Sequence, residues 1–132
     1  MPELTDDDLA QQWRDQMRRY HRVANALDRA LTAQHEITGS GFEVLQQLHG
    51  RGEVGLRMSE LGENVHLSQS ALSRLISRLE QDGLVERTMC FDDRRSVWTR
   101  ITAAGAARYV EAKPTQRAIL RQYNPAAQPV RV

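Results

Sequence analysis

Residues 92–95, "DDRR", place two carboxylates next to two guanidinium groups, between the strand-like segments 84–90 and 96–101. Aspartate is a common turn former, so the pattern predicts a β-hairpin with a charged tip. A guanidinium group presents a planar fork of donors that suits phosphate oxygens and the edge of guanine. The tip is therefore either a solvated turn or a loop that contacts a polyanion, and an isolated hairpin favours the solvated turn.

A second set of polar residues lies on the clearest predicted helix, which starts after Ser68 and stops at Gly83. Apolar residues at helical spacing define its buried face: Leu72, Leu75, Ile76 and Leu79. The opposite face has no acid before Glu80 and consists of Gln69, Ser70, Ser73, Arg74, Ser77 and Arg78. Small hydroxyls allow a close approach to DNA, glutamine can pair with adenine, and arginine can pair with guanine. The free amides at the start of the helix also favour phosphate.

The order of the predicted elements connects these two features. A short helix within residues 59–67 precedes the helix at 68–83, and the hairpin follows directly, which is typical of a winged helix-turn-helix. The second helix of such a unit enters the major groove by its N-terminal half. The hairpin then lies along the flanking minor groove, where an arginine meets a focused negative potential. Asp92 or Asp93 can brace that arginine through a charge-assisted hydrogen bond. Beside a serine- and arginine-rich helix, the charged tip is better explained as a DNA-contacting wing.

Two long helices are predicted to flank this unit. Thr5 and Asp8 suit the start of the first helix, which extends to about His35. Its apolar stripe consists of Leu9, Trp13, Met17, Tyr20, Ala24, Leu27 and Leu31. A helix of about eight turns is too long to bury this stripe against one small domain, so we expect it to pack partly on another subunit. Thr102 is predicted to cap the second long helix, with a bend at Pro114.

The remaining elements are shorter. Ser40 is predicted to begin a helix that ends at Gly50, residues 56–57 a very short strand, and Ser59 to cap the next helix. The fold class is therefore α+β, mainly helical, with a winged helix-turn-helix between long N- and C-terminal dimerisation helices. The predicted boundaries are 5–38 and 102–123 for the dimerisation helices, 39–101 for the DNA-binding lobe and 124–132 for a frayed tail.

Length and composition limit the possible classes of protein. The chain of 132 residues has the size of one domain and a net charge of +1. No run of about 18 apolar residues occurs that would span a membrane. The N-terminal residues 1–8 are acidic and polar, the reverse of a signal peptide, so we expect a cytoplasmic protein.

Few residues suit catalysis or metal binding. Cys90 is the single cysteine. The histidines are not spaced like the ligands of a metal site, and they lie at His21, His35, His49 and His66. The sequence has no Gly-rich phosphate loop and no G-x-S-x-G motif. We therefore expect no catalytic residue, no metal site and no cofactor, and the protein is not predicted to be an enzyme.

Residues 58–105 closely resemble the core of the multiple antibiotic resistance regulator (MarR) family of bacterial transcription factors. The resemblance rests on the serine-rich helix, on "RLEQDGLVER" at residues 78–87, on the "DRR" of residues 93–95 and on the "ITAAG" of residues 101–105. It extends over about residues 40–110, and the long flanking helices are placed as the dimerisation helices of that family are.

The resemblance implies a homodimer that binds a pseudo-palindromic operator in double-stranded DNA, usually as a repressor. It places Gln69, Ser70, Ser73 and Arg74 on bases and phosphates, with Ser68 and Arg78 on the same surface. It also places Arg95 in the minor groove, with Arg94 on phosphate and Asp93 as the brace. The family commonly binds small aromatic or phenolic ligands in the cleft between the dimerisation helices and the DNA-binding lobe. Trp13 and Tyr20 are candidates for that cleft, although packing in the core or at a dimer interface is the more ordinary role.

The sequence is compatible with several alternatives. Family members usually continue into a further helix, whereas no apolar periodicity follows residue 123. Either the dimer rests on residues 5–38 and 102–123 alone, or its interface is rearranged. The chain could also bind DNA without an effector, serve as a protein-interaction module, or sense oxidants through Cys90.

Overall fold

A computed structural model of the chain describes residues 3–90 and 93–124, without the side chains of residues 90 and 93–96. Its helices are α1 (Asp6–His35), α2 (Gly39–His49), α3 (Met58–Val65), α4 (Gln69–Gln81) and α5 (Ala103–Tyr123). Its strands are β1 (Leu56–Arg57), β2 (Val85–Cys90) and β3 (Asp93–Ile101). This arrangement confirms the predicted fold class, a mainly helical winged helix-turn-helix with long helices at both ends.

Side-chain caps define the starts of the two long helices. At α1, the Thr5 hydroxyl accepts a hydrogen bond from the Asp8 amide at 3.1 Å, and the Asp8 carboxylate accepts one from the Thr5 amide at 3.0 Å. At α5, the Thr102 hydroxyl accepts from the Gly105 amide at 3.0 Å. Both caps agree with the sequence prediction. Pro114 lies within α5, which continues as one helix to Tyr123.

Two predicted helix starts are wrong by one or two residues. The helix expected from Ser40 begins at Gly39, because the Thr38 hydroxyl accepts from the Gly41 amide at 3.0 Å and so acts as the cap. The next helix was expected to be capped by Ser59 but begins at Met58, where the Glu60 carboxylate accepts from the Arg57 amide at 3.3 Å. In both cases a competing residue close by satisfies the free amides of the first turn.

The three strands form an antiparallel sheet in the order β1-β3-β2. Leu56 pairs with Thr99 on one side of β3, and Val85 pairs with Ile101 on the other. The pairing of β2 with β3 shifts register between Met89 and Cys90, close to the predicted hairpin tip. The short β1 strand therefore fixes the base of the hairpin to the helical lobe.

The hydrophobic core lies where α2, α4, the sheet and α5 meet. Phe42 of α2 and Ile76 of α4 are fully buried, and Leu84, which follows α4, is almost fully buried in the same cluster. The ring of Phe42 lies 5.3 Å from the ring of Tyr109 on α5, centroid to centroid. Because α5 contributes to the same core as α2 and α4, the long helix is anchored to the lobe.

One close backbone approach depends on glycine. A Cβ atom at Gly105 would overlap the carbonyl oxygen of Leu84, and that same carbonyl accepts a hydrogen bond from the Thr102 amide at 3.1 Å. The first turn of α5 therefore sits directly on the chain that leads from α4 into β2. No larger residue fits at this position without displacing one of these elements.

A second set of contacts joins the end of α1 to α5. The Arg108 guanidinium donates to the backbone carbonyls of His35 at 3.0 Å and Glu36 at 3.3 Å. A His35 ring nitrogen lies 2.7 Å from the Thr115 hydroxyl. Arg108 thus satisfies carbonyls at the C-terminus of α1 that lack partners within the helix.

A polar network crosses from α2 to α5. The Gln116 amide donates to the Glu43 carboxylate at 3.5 Å, and Arg117 donates to the side-chain oxygens of Gln46 at 2.8 Å and Gln116 at 2.6 Å. Burial raises the pKa of the Glu43 carboxyl above its ordinary value, and the positive charge of Arg117 opposes this shift. The protonated form of Glu43 is therefore favoured by folding.

We predict that Glu43→Gln removes a pH-dependent part of the stability. Because the folded pKa is raised, the contribution of Glu43 is fully present below its unfolded pKa and is lost as the pH rises through the folded pKa. The free energy of unfolding of the unaltered chain, relative to Glu43→Gln, should therefore fall as the pH rises from the ordinary glutamate pKa through the raised folded pKa. Urea unfolding at a series of pH values measures this difference. Glu63→Gln, at an exposed carboxylate of α3, is the control, and a pH-independent difference for Glu43→Gln would contradict the prediction.

Candidate nucleic-acid interface

Hydrogen bonds define both ends of α4, a side-chain cap at its start and backbone bonds at its end. At its start, the Ser68 hydroxyl accepts from the Ala71 amide at 3.2 Å. At its end, the Gly83 amide donates to the Glu80 carbonyl at 3.0 Å and the Leu84 amide to the Leu79 carbonyl at 2.9 Å. Gly83 has a φ of 77°, a left-handed conformation that glycine adopts without strain. The chain therefore leaves α4 abruptly and enters β2 at once.

Burial separates the two faces of α4 as the sequence predicts. Leu72, Ile76 and Leu79 are buried, and Leu75 packs against the same core while half-buried. The opposite side presents exposed side chains to solvent at Gln69, Ser70, Ser73, Arg74 and Arg78. Five of the proposed DNA-binding residues thus share one accessible surface, which we call the α4 face. Ser68 is also exposed and adjoins this face at the helix start.

Ser77 is the predicted outward residue that the structure places differently. Its side chain is half-buried, and its hydroxyl accepts a hydrogen bond from the Arg87 guanidinium. Arg87 lies on β2 and also donates to the backbone carbonyl of Ser73 at 3.2 Å. Sequence reasoning missed this arginine. The available signal was an arginine early in the strand that follows the helix, together with two helix serines four residues apart, Ser73 and Ser77.

The charges around the α4 face are arranged unevenly. Arg74 and Arg78 lie on the exposed side, whereas Glu80 is engaged with Arg87, whose amide donates to the Glu80 carboxylate at 3.1 Å. Asp82 lies beyond the C-terminal end of the helix. The N-terminal half of α4 therefore combines free backbone amides with the positive charge of Arg74, which favours a phosphate-bearing partner.

The hairpin β2–β3 projects beside α4, as expected for a wing. At its base the Arg57 guanidinium lies 5.1 Å from the centroid of the Trp98 ring, and the Thr99 side chain is buried. The side chains of Asp93, Arg94 and Arg95, and that of Cys90, lie outside the part of the chain that the structure describes. Their predicted roles as brace, phosphate contact, minor-groove contact and redox site remain predictions.

The apolar stripe of α1 is buried toward the C-terminal end of the helix and exposed toward its N-terminal end. Leu31 is buried, and Leu27 packs against the core while half-buried. The N-terminal half is open to solvent, with Leu9 50% exposed, Trp13 61% exposed and Tyr20 69% exposed. On α5, Val110 is 58% exposed and Leu120 is 38% exposed. A single chain therefore leaves apolar surface uncovered on both long helices.

A cleft of about 680 Å³ lies between the long helices and α4. The residues that line it are Thr32, Glu36, Ile37, Thr38, Leu75, Arg78, Leu79, Asp82 and Arg108. Its size falls in the range of small-molecule sites, and its lining includes two arginines, Arg78 and Arg108, and two carboxylates, Glu36 and Asp82. Trp13 and Tyr20, the predicted cleft residues, do not line it within one chain.

Two further features concern the described residues, namely groups of possible metal ligands and helices that could cross a membrane. Within residues 3–90 and 93–124, no group of three or more histidine, cysteine, aspartate or glutamate side chains could hold a metal ion. Over the same residues, no helix combines the length and apolarity needed to cross a membrane.

Comparison with known proteins locates the similarity in the lobe that carries the α4 face. The sequence profile of the MarR family matches residues 37–97. The chain is 31% identical over 87 residues to the HTH-type transcriptional repressor MdtR of Bacillus subtilis, an alignment that spans 66% of the chain and 55% of MdtR. Across four curated relatives, the chain covers 55% to 65% of the relative's own length.

Solved structures extend the similarity to the long helices. The structure of AbsC, a MarR family transcriptional regulator from Streptomyces coelicolor, superposes with a TM-score of 0.79 at 27% identity, over 98% of the chain and 86% of AbsC. A second MarR family regulator from Streptomyces coelicolor, solved in complex with DNA, gives a TM-score of 0.84 at 24% identity, over 98% of the chain and 81% of that protein. At this identity the second likeness concerns the fold alone.

Proposed function

We propose that the chain is a transcriptional regulator of the MarR family. It acts as a homodimer that binds a pseudo-palindromic operator and represses transcription. In this proposal residues 39–101 are the DNA-binding lobe, and residues 5–38 and 102–123 are the dimerisation helices. Because the partner is chromosomal DNA, the proposed place of action is the cytoplasm.

The observation that carries the proposal is the α4 face. Gln69, Ser70 and Ser73 offer short hydrogen-bonding groups, and Arg74 offers a guanidinium fork, on one exposed surface opposite the buried stripe. Such a surface can approach the floor of the major groove closely, because its side chains are small or flexible. The wing residues Arg94 and Arg95, with Asp93 as a brace, are proposed to reach the flanking minor groove.

The dimer is proposed from the uncovered apolar surface of the long helices. Trp13 and Tyr20 are large side chains that are more than half exposed in one chain, at positions that continue the stripe of Leu27 and Leu31. Burial of such side chains contributes roughly 25 cal/mol per Å² of apolar surface. A second copy, related by a two-fold axis, would cover this surface and set two α4 faces at a spacing matched to successive major grooves.

A small aromatic or phenolic ligand is proposed to occupy the cleft of about 680 Å³. This cleft adjoins both α4, through Arg78, and the junction of α1 with α5, through Arg108. A ligand that binds more tightly to one spacing of the two lobes shifts the dimer toward that spacing and lowers its affinity for the operator. A regulator without any effector is the alternative.

We predict that Arg74→Ala and Arg95→Ala weaken binding to a duplex selected from a random-sequence pool with the unaltered protein. Loss of a base-contacting arginine should cost about 1 to 3 kcal/mol of binding free energy. Fluorescence anisotropy at several salt concentrations measures the affinity, which should fall steeply with salt because phosphate contacts release counterions. Arg51→Ala is the control, since Arg51 is exposed in the loop between α2 and β1. Unchanged affinity in both test variants would refute the proposed reading surface.

We predict that Trp13→Glu dissociates the dimer. A carboxylate placed in the covered stripe would be buried without a partner, at a cost of about 3 kcal/mol or more, so the dissociation constant should rise at least about 100-fold. Sedimentation equilibrium measures this constant. Gln12→Glu introduces the same charge at an exposed neighbouring position outside the stripe and should leave the dimer intact. A monomeric unaltered protein, or equal dissociation constants for the two variants, would rule out this interface.

We predict that salicylate, as an aromatic carboxylate probe, lowers the affinity for the selected duplex. Thr32→Trp should abolish that effect, because the indole would fill the lip of the cleft that Thr32 lines. Ala33→Trp, at the next exposed position of α1, should retain it. The readout is duplex affinity with and without the probe. An identical response in both variants would contradict this location, and no response in the unaltered protein would favour the effector-free alternative.

A further inference from the structure

Arg87 connects the wing strand β2 to three successive turns of α4. Its guanidinium donates to the Ser73 carbonyl at 3.2 Å and to the Ser77 hydroxyl, and its Nε lies 3.9 Å from a Glu80 carboxylate oxygen. Its backbone amide donates to the other oxygen of that carboxylate at 3.1 Å. Both the main chain and the side chain of this residue therefore hold the same helix.

The directions of these contacts restrict how α4 can move relative to β2. The contacts at Ser73, Ser77 and Glu80 run along one side of the helix, next to the exposed α4 face. A helix held on one side at several heights can neither rotate about its axis nor slide along the strand without breaking hydrogen bonds. The buried stripe sets which side of α4 faces the core, and the hydrogen bonds add a directional restraint that apolar contacts lack.

Base recognition depends on that restraint. Side chains that read base edges must be held within about 0.5 Å and about 10 to 20° of their productive geometry. Ser73 and Arg74 lie on the turn of α4 whose carbonyl Arg87 holds. The same arginine belongs to the strand that leads into the wing, so it links the two elements proposed to contact DNA.

We propose that Arg87 is a positioning residue for sequence recognition, which fixes the rotation of α4 relative to the wing through Ser77 and Glu80. This inference rests on the proposed function, because it concerns how the same surface distinguishes one DNA sequence from another. Arg87 acts here through α4 and does not itself contact the bases. Lysine in its place keeps the charge but lacks the planar fork that bonds two acceptors at once.

The experiment measures a specificity ratio for each variant. This ratio is the affinity for the selected duplex divided by the affinity for a shuffled duplex of the same composition. Arg87→Lys should lower this ratio about tenfold, since several base contacts are disturbed together. The dependence of affinity on salt should stay the same, because no phosphate contact is lost. Arg100→Lys is the matched control. Arg100 lies on the same hairpin and pairs with Glu86 at 2.7 Å, and the expected change in its ratio is less than about twofold.

Ser77→Ala tests the same contact by changing the residue on α4. It remains informative if Arg87→Lys is unstable. It removes only the hydroxyl that Arg87 bonds and should lower the specificity ratio in the same direction. When the two changes are combined, the loss should be smaller than the product of the separate losses, because they break one shared contact. Thermal melting of each variant checks that the fold is retained.

The possible outcomes separate this inference from the function on which it rests. If neither Arg87→Lys nor Ser77→Ala changes the specificity ratio, the proposed role of Arg87 is wrong. The proposed function is not affected by that result. If Arg87→Lys instead lowers the affinities for both duplexes by the same factor, Arg87 is a direct contact to the DNA backbone, and the inference is overturned as well. Failure of the unaltered protein to select any duplex overturns the proposed function together with this inference.

Discussion

Burial of the apolar stripe of α4 is the constraint on which the rest of the molecule depends. With Leu72, Ile76 and Leu79 in the core, the opposite side of the helix has to face solvent, and the α4 face follows from helical geometry. The core that accepts this stripe is shared with α2 and with α5 through Phe42 and Tyr109. One hydrophobic cluster therefore both orients α4 and anchors the long C-terminal helix.

Hydrogen bonds and close backbone contacts further restrict how the elements are placed relative to one another. Gly83 turns the chain sharply into β2, Gly105 lets α5 approach that turn, and Arg87 ties β2 back to α4. Arg108 similarly ties the end of α1 to α5. Together these contacts connect the two long helices to α4 and β2 through packed and hydrogen-bonded groups. The proposed regulation by a ligand or a partner subunit depends on this connection.

Local sequence signals predicted most of the elements, and short-range competition explains the errors. Thr5, Ser68 and Thr102 cap their helices as predicted, because each hydroxyl lies within reach of the amide three residues ahead. Ser40 and Ser59 were wrong as caps. Thr38 in one case, and the Glu60 carboxylate at the Arg57 amide in the other, satisfy the free amides first. Alternative caps of this kind differ little in free energy. The sequence alone therefore does not decide which residue caps the helix.

The sequence by itself determined the order of elements, the buried and exposed faces of α4 and the excess length of α1, because these follow from spacing along one chain. Only the tertiary structure decided which outward residues remain free. Ser77 has the same helical spacing as Ser73 and Arg74, yet it is occupied by Arg87 from another element. The cleft lined by Thr32, rather than by Trp13 and Tyr20, likewise arises where separate helices meet. Contacts between distant segments depend on three-dimensional packing, which the periodicity of a single helix does not encode.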